Sequence, residues 1–421
     1  MVLDLIVIGG GLGGLSAAVA LARCGHNVTL LEAQKSFTEL GAGIQMPPNS
    51  TRIMREWGIL ENVLAKAAKP ELMIFRSYHD GHALHVHRLW PDMEDKFGYP
   101  HLLIHRREIL NILVNEARHL GVHMKLDCRV VETDLSARTV TTASGEVFAA
   151  KLLIAADGER SFCRSKILGR LDMPRPTGKL VYRLTLNTNA VRKDPEICHL
   201  VDSSPITCWL GPKSHVVAYE IPGDEIFNIS LTCPDPIEDR TQFGPRNADL
   251  MEMKSFFKDW NPMFLKLLDL ATEARYWTLL QLPEENRVWV DDEAQSMILI
   301  GDAAHAMTPY LAQGASQSIE DGAFLGLLFP NDATESSIPT LLKLFCDVRQ
   351  PRSLLARARA EEVGNILEMT DGPAQRERDR RMHQEVPNEG FPNPYADPVL
   401  QSWLYAYDMR ADLANAIKRM E

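Results

Sequence analysis

Three short stretches of this chain combine residue types and spacings that could hold a phosphorylated dinucleotide. In the first, Gly9, Gly11 and Gly14 form G-x-G-x-x-G directly after the apolar run Leu3 to Ile8. The first glycine allows a tight turn, the second lets a pyrophosphate approach bare backbone, and the third lets the following helix pack closely on the strand. Glu32 ends the next apolar run, Asn27 to Leu31, eighteen positions beyond Gly14. A carboxylate there accepts both hydroxyl hydrogens of an adenosine ribose and repels a 2′-phosphate, so this site suits FAD or NAD rather than NADP. In the second stretch, Asp157-Gly158 follows the apolar run Leu152 to Ala156, with Ser161 and Arg164 close behind. Asp157 could also cap the turn that follows it. The third is Gly301-Asp302-Ala303-Ala304-His305, with Pro309, Gln313-Gly314-Ala315 and Glu320-Asp321 after it.

These residues need elements to position them. Leu15 to Arg23 reads as a helix with Leu15, Ala18 and Ala22 on one face and Gly25 as its stop. Gly41 and Gly43 flank Ala42, so a flat ligand could lie against backbone there. Helices are expected from about Ser50 to Trp57 and from Arg106 to Leu120. Between about 170 and 285 the pattern turns to strands: Lys179 to Thr188, Thr207 to Leu210, His215 to Ile221 and Phe227 to Thr232. Alternation puts His215, Val217 and Tyr219 on one face. His79, His82, His85 and His87 cluster around an Asp80-Gly81 hairpin turn, without a second set of ligands that would make a metal site. Past about 335 the chain reads as helical. Arg349, Arg352, Arg357 and Arg359 with Glu361 and Glu362 suggest a solvated, salt-bridged face, and Pro351 should kink or break that helix. Residues 386–398 suggest an ordered arm, and Val399 to Met420 one amphipathic helix that could cap the fold or pack on a second copy in a homodimer.

Composition narrows the class. The chain has 421 residues, 45% of them hydrophobic, enough for two or three lobes. Its formal net charge of -11 argues against nucleic acid or an anionic membrane as partner. Seven scattered cysteines without Cys-x-x-Cys spacing read as reduced thiols of a cytoplasmic protein. No run reaches the roughly 18–20 apolar residues of a membrane span, and there is no secretory leader.

The three stretches, the Gly-Ala-Gly-Ile-Gln segment from Gly41 to Gln45 with Pro48-Asn49, and Ile104-His105-Arg106 together resemble the class A flavoprotein monooxygenases. These are the p-hydroxybenzoate hydroxylase-like family, and the match is nearest its salicylate hydroxylase-like subgroup. The resemblance implies an α/β fold: a discontinuous Rossmann-like FAD-binding domain of GR2 type, an inserted, mainly antiparallel β-sheet substrate domain, and a helical C-terminus. The expected division is 1–75, 101–170 and 285–340 for FAD, 76–100 and 171–284 for substrate, and 341–421 for the helical segment.

The resemblance also implies roles. Gly9, Gly11, Gly14 and Glu32 would hold the adenosine half of FAD, and Arg106 its pyrophosphate or ribityl region. Ala42 and Gly43 would lie against the cofactor. Asp157 would touch FAD and serve NAD(P)H with Arg164 nearby. Asp302 would bind ribityl hydroxyls or phosphate, and the loop from Pro309 would cross the flavin ring. Gly314 and Ala315 would then present a helix N-terminus to it, where free N–H groups stabilise negative charge. Glu320 and Asp321 read as capping or pairing residues rather than proton carriers. Arg183, in Val181-Tyr182-Arg183, would hold a phenolate, carboxylate or enolate, or instead form a cross-strand ion pair. His215 could remove a phenol proton or be structural, and Tyr219 stands similarly.

The implied reaction spends NAD(P)H and O2 to hydroxylate an electron-rich aromatic, a phenolic polyketide or salicylate-like acid, through a flavin C4a-hydroperoxide and without a metal. Alternatives on the same scaffold are epoxidation, dearomatising hydroxylation, oxidation without oxygen insertion, or a non-catalytic FAD-binding protein.

Overall fold

The first apolar run becomes the centre of a parallel sheet. In a computed structural model, which describes residues 1–37, 43–202, 204–223, 225–237, 244–283 and 288–420, the strand Asp4–Ile8 lies between Leu152–Ala155 and Asn27–Leu31. Met297–Leu299 and His123–Lys125 flank these, and all five run parallel. All four residues of Leu152–Ala155 are buried, as expected of a strand covered on both faces. Each of the three sequence stretches begins at the end of a strand of this sheet, so the topology gathers them at one edge.

The helix Leu12–Arg23 packs on the helix Gly314–Leu328 at very short range. A side chain at Gly322 would meet the Ala17 backbone nitrogen at 2.5 Å, and one at Gly326 the Ala20 Cβ at 2.9 Å. Small residues on both helices allow this approach. It brings the first and third stretches together: a Cβ on Gly13 would lie 3.8 Å from the Gly301 Cα.

A second, eight-stranded sheet draws on distant parts of the chain. Its order is Arg246–Asn247, Arg275–Gln281, Arg175–Asn187, Ile226–Pro234, Ser214–Ile221, Ile206–Gly211, Leu72–Ser77 and Ala83–Arg88. Only the pairing of Ile206–Gly211 with Leu72–Ser77 is parallel. One face buries Leu180, Tyr182, Leu184, Ile229 and Leu231 against the helices Leu250–Phe256 and Pro262–Asp269. The other face carries Val217, Tyr219 and Ile221, and packs with Leu311, Val363, Tyr395 and Tyr405. The alternation of His215, Val217 and Tyr219 is thus the alternation of two different cores.

The C-terminal third departs from expectation in three ways. The helix Ile338–Leu367 runs unbroken through Pro351. Proline removes one helical hydrogen bond, but Arg349 and Arg352 on either side of it are fastened by buried ion pairs to the Gly314–Leu328 helix. The arginine row is therefore not a solvated face: Arg349 and Arg352 are buried by those pairs, Arg357 is buried where it donates to the Leu282 carbonyl, and Arg359 alone of the four is exposed. The last segment is two helices, Pro398–Tyr405 and Met409–Met420, rather than one. Among the described residues, no helix is long and apolar enough to cross a membrane, and no histidine, cysteine or acidic cluster could hold a metal ion. All seven cysteines are free thiols.

Candidate active site

At the glycine loop the backbone leaves no room for side chains where the fold turns and ample room where a ligand would lie. A Cβ on Gly9, whose φ is +104°, would sit 2.3 Å from the Ala156 carbonyl oxygen, and one on Gly14 would sit 1.9 Å from the Gly9 carbonyl oxygen. Around Gly11 nothing lies within 4 Å. Glu32 stands beside the loop, its carboxylate accepting from the Gly10 N–H at 2.6 Å and the Gln34 N–H at 2.7 Å. This cradle fits the pyrophosphate and ribose of a dinucleotide.

Asp157 caps. Its carboxylate accepts from the Ser161 hydroxyl and from the Cys163 N–H at 3.0 Å, fixing the start of the helix Phe162–Ile167. Arg164 is not placed to meet a nicotinamide dinucleotide. It is 1% exposed, pairs with Asp172 at 2.7 Å, and donates to the carbonyls of Ala303 and Glu159. Its work is to tie the second stretch to the third.

In the third stretch most residues are buried, while Asp302 and Pro309 are exposed. The helix Gly314–Leu328 starts without a side-chain cap, which leaves its first N–H groups available. Buried polar atoms without partners surround that start: Gln313 Nε2, Ser316 Oγ and Thr308 Oγ1. An uncapped N-terminus beside orphaned polar groups fits the polar edge of a flavin. Behind it stands a closed charge network. Arg349 donates to Glu320 at 2.6 Å and to Asp321 at 2.8 Å, and Arg352 donates to Glu320 at 2.7 Å. Asp321 also bonds His305 at 2.6 Å and the Gly301 N–H at 2.9 Å. Burial alone would raise both carboxyls. Arg352 and Arg349 outweigh it at Glu320, as do His305 and Arg349 at Asp321, and both stay below the usual carboxylate range. Glu320 and Asp321 pair, as expected.

The eight-stranded sheet brings the remaining candidates onto one patch. His215 is opposite Thr232 and Thr232 opposite Val181; Val217 is opposite Ser230 and Ser230 opposite Arg183; Tyr219 is opposite Asn228. The patch therefore presents His215, Arg183 and Tyr219 in neighbouring rows. The strand Gly43–Met46 lies on its Tyr219 end, where a Cβ on Gly43 would meet the ring at 2.4 Å. Gly43 in turn pairs with His105, next to Arg106 at the start of the helix Arg106–His119. At the other end His215 packs at a tilt against Tyr310, ring centroids 5.2 Å apart, in the short Pro309–Leu311 turn. The patch thus spans from Gly43 to the Pro309 loop.

Charge within the patch is uneven. Arg183 lies over the Trp277 ring at 5.0 Å, and its Nε is buried without a hydrogen-bond partner. No carboxylate among the described residues pairs with it, so the cross-strand ion pair is not formed. Burial, with the nearby charge of Arg106, lowers its affinity for a proton. Burial also pushes Tyr219 up to about 12, so it keeps its hydrogen. Ala42 lies outside the described residues.

Sequence reasoning missed Tyr310, Asn49 and Glu368. Asn49 donates to Gln313 at 3.1 Å and Glu320 at 2.7 Å, joining the Pro48–Glu56 helix to the flavin-side loop. Its neighbourhood with prolines was visible, but nothing in the sequence pairs residue 49 with residues 313 and 320. The histidine cluster divides: His82 pairs with Asp80 at 2.6 Å, while His85 bonds the Met382 carbonyl at 2.9 Å and packs on Phe391.

Residues 2–356 match the family described as FAD binding domain. The chain is 36% identical over 420 residues to the FAD-dependent monooxygenase OpS4 of Beauveria bassiana (strain ARSEF 2860), covering 99% of this chain and 97% of that one. It is 31% identical over 369 residues to 3-hydroxybenzoate 6-hydroxylase of Klebsiella oxytoca, covering 87% and 89%. A salicylate hydroxylase substrate complex superposes with a TM-score of 0.80 at 25% identity, covering 99% and 98%. The chain belongs to the class A FAD-dependent aromatic monooxygenases.

Proposed function

We propose that this chain uses NAD(P)H and O2 to hydroxylate an electron-rich phenolic ring, a phenolic polyketide or a salicylate-like acid. The carrying observation is the register that sets His215, Arg183 and Tyr219 in adjacent rows between Gly43 and the Pro309–Leu311 turn. Bound FAD supplies the electron relay and the activation of oxygen. Gly9, Gly11, Gly14 and Glu32 hold its adenosine half, and Arg106, Asp157 and Asp302 the middle of the molecule. Gly43 and the N–H groups of Gly314 and Ala315 would border its ring.

The chain's own residues prepare the substrate. Arg183, with which no carboxylate among the described residues pairs, donates two parallel hydrogen bonds to a carboxylate or phenolate. His215 takes the phenol proton, which raises the electron density of the ring and its reactivity toward an electrophilic oxygen. Tyr219 remains an O–H donor and orients the ring. The apolar wall of Val217 and Leu311 keeps water away.

The test is anaerobic stopped-flow reduction of the FAD-loaded protein by NADH and by NADPH, alone and with salicylate, 3-hydroxybenzoate and resorcinol. Rapid reduction only in the presence of one phenol, followed by its hydroxylation in air, is the expected result. Bound FAD that neither nicotinamide reduces under any condition would sink the proposal.

A further inference from the structure

The Ile338–Leu367 helix ends on an acid where physics disfavours one. Glu368 is its C-cap. A carboxylate there faces the negative end of the helix dipole, and this one is 7% exposed. A buried acid at that position needs a reason beyond helix formation. Three groups from three elements surround it. Lys179, from the strand Arg175–Asn187, donates to Oε2 at 2.5 Å. His215, from the strand Ser214–Ile221, bonds Oε1 through Nδ1 at 2.9 Å. Tyr310, from the Pro309–Leu311 turn, sets its hydroxyl against the same carboxylate; burial and the Glu368 charge push its ionisation up, so it stays a donor and does not compete as a base. The Lys213 N–H also grips the Glu368 carbonyl at 2.9 Å, locking the helix end to the hairpin that carries His215.

We infer that Glu368 is a positioning residue for His215: it takes the Nδ1–H and thereby turns the basic Nε2 to the substrate hydroxyl. This rests on the reading of His215 as the base. A carboxylate on Nδ1 fixes the tautomer in which Nε2 carries the lone pair, and Nε2 makes no hydrogen bond to any described residue. The proton passes from the phenol oxygen to Nε2 while the bonding pair stays on oxygen. The imidazolium so formed is stabilised by Glu368, whose charge is otherwise balanced by Lys179. As the ring regains aromaticity the attacked carbon gives up its hydrogen as a proton to solvent and the imidazolium returns its proton to that oxygen, so the pair ends each cycle unchanged.

The experiment is nitrogen NMR on the FAD-loaded protein labelled at histidine, with His215 assigned from His215→Gln. Wild type should give a protonated Nδ1 and a bare Nε2. In Glu368→Leu the His215 signals should move toward the other tautomer or an average of the two. Wild type with Nε2 protonated, or Glu368→Leu identical to wild type, overturns the inference. Glu368→Gln, which keeps volume and an acceptor, should preserve the tautomer. It should lower kcat about tenfold at nearly constant KM with the phenol found by the reduction screen, 3-hydroxybenzoate being tried first, because a neutral amide stabilises imidazolium less. Should Glu368→Leu fail to fold, an unchanged kcat in Glu368→Gln overturns the inference by itself. Full activity in His215→Gln would remove the base and this inference with it. Activity lost in His215→Gln but intact in both Glu368 variants would remove Glu368 alone.

Discussion

One helix feeds two charge networks that end differently. In its middle, Arg349 and Arg352 meet Glu320, Asp321 and His305 in a cluster where every charged side chain is at most 5% exposed. Each acid there meets more than one donor. At the C-terminal end of the same helix, Glu368 meets Lys179, itself 24% exposed, and His215, which keeps a second ring nitrogen unused. The first network lies wholly in the core, where even the spare His305 Nδ1 is shut in, and the second opens outward at Lys179 and at His215 Nε2. A closed buried network holds geometry, since every charge is spent on another. An open one retains a group able to act on something else.

The comparison can be broken most sharply at Arg349. Its replacement by methionine takes from Glu320 and Asp321 a cation that both share, and should cost about 3–5 kcal/mol of stability with early release of flavin. Urea unfolding followed by both flavin and tryptophan fluorescence reads it; a variant of normal stability would mean that the closed network holds nothing. At the open network the opposite split is expected. His215→Gln should reduce kcat by about 10²–10⁴ while the unfolding midpoint and FAD content barely move. Comparable losses of stability at both sites would erase the distinction. Between these networks lies Arg183, with which no carboxylate among the described residues pairs. Arg183→Met should lower kcat/KM for an acidic phenol by about 10–100-fold, the worth of a hydrogen bond to a charged group. The loss should shrink for a neutral phenol, and steady-state kinetics on the pair of substrates decides it.

The smallest effect is one of pH. Burial lowers His101 to about 3 and His87 to about 4. Between about pH 6.5 and 4 the unfolded chain therefore binds protons that the folded chain refuses. Stability should be full above pH 6.5 and fall as the solution is acidified through that window. Replacing His101 with glutamine, which can still meet Gln45, should flatten the slope of the urea midpoint against pH; an unaltered slope would place the acid sensitivity elsewhere.

What the sequence made legible follows from range. The G-x-G-x-x-G turn and Glu32 are readable because turn, helix and acid lie within one strand-helix-strand unit. His215 and Tyr219 share a face because strands alternate. The patch that joins them to Arg183 needed the register of three strands, which no local pattern states. Arginines at 349, 352 and 357 have the spacing of a solvated stripe, but acids on another helix, at positions 320 and 321, hold the first two in the core, and the Leu282 carbonyl holds the third. Pro351 read as a break because its neighbours' ion pairs were invisible. Glu368 carried a local signal, an acid at a helix end, but its meaning depended on a histidine 153 positions away.

The close packing of Gly13 on Gly301, and of Ala17 and Ala20 on Gly322 and Gly326, has a consequence for synthesis. The glycine turn leaves the ribosome well before the surface it packs on, which lies nearly 300 residues later. At ~5–20 residues per second the turn waits roughly 15 to 60 s for its other half. A nascent chain of 300 residues has the fingerprint and no pocket. Flavin capture therefore belongs to the last stage of folding, after the helix at Gly314 has been made, and a chain cut short before that point should be colourless however well its first lobe folds.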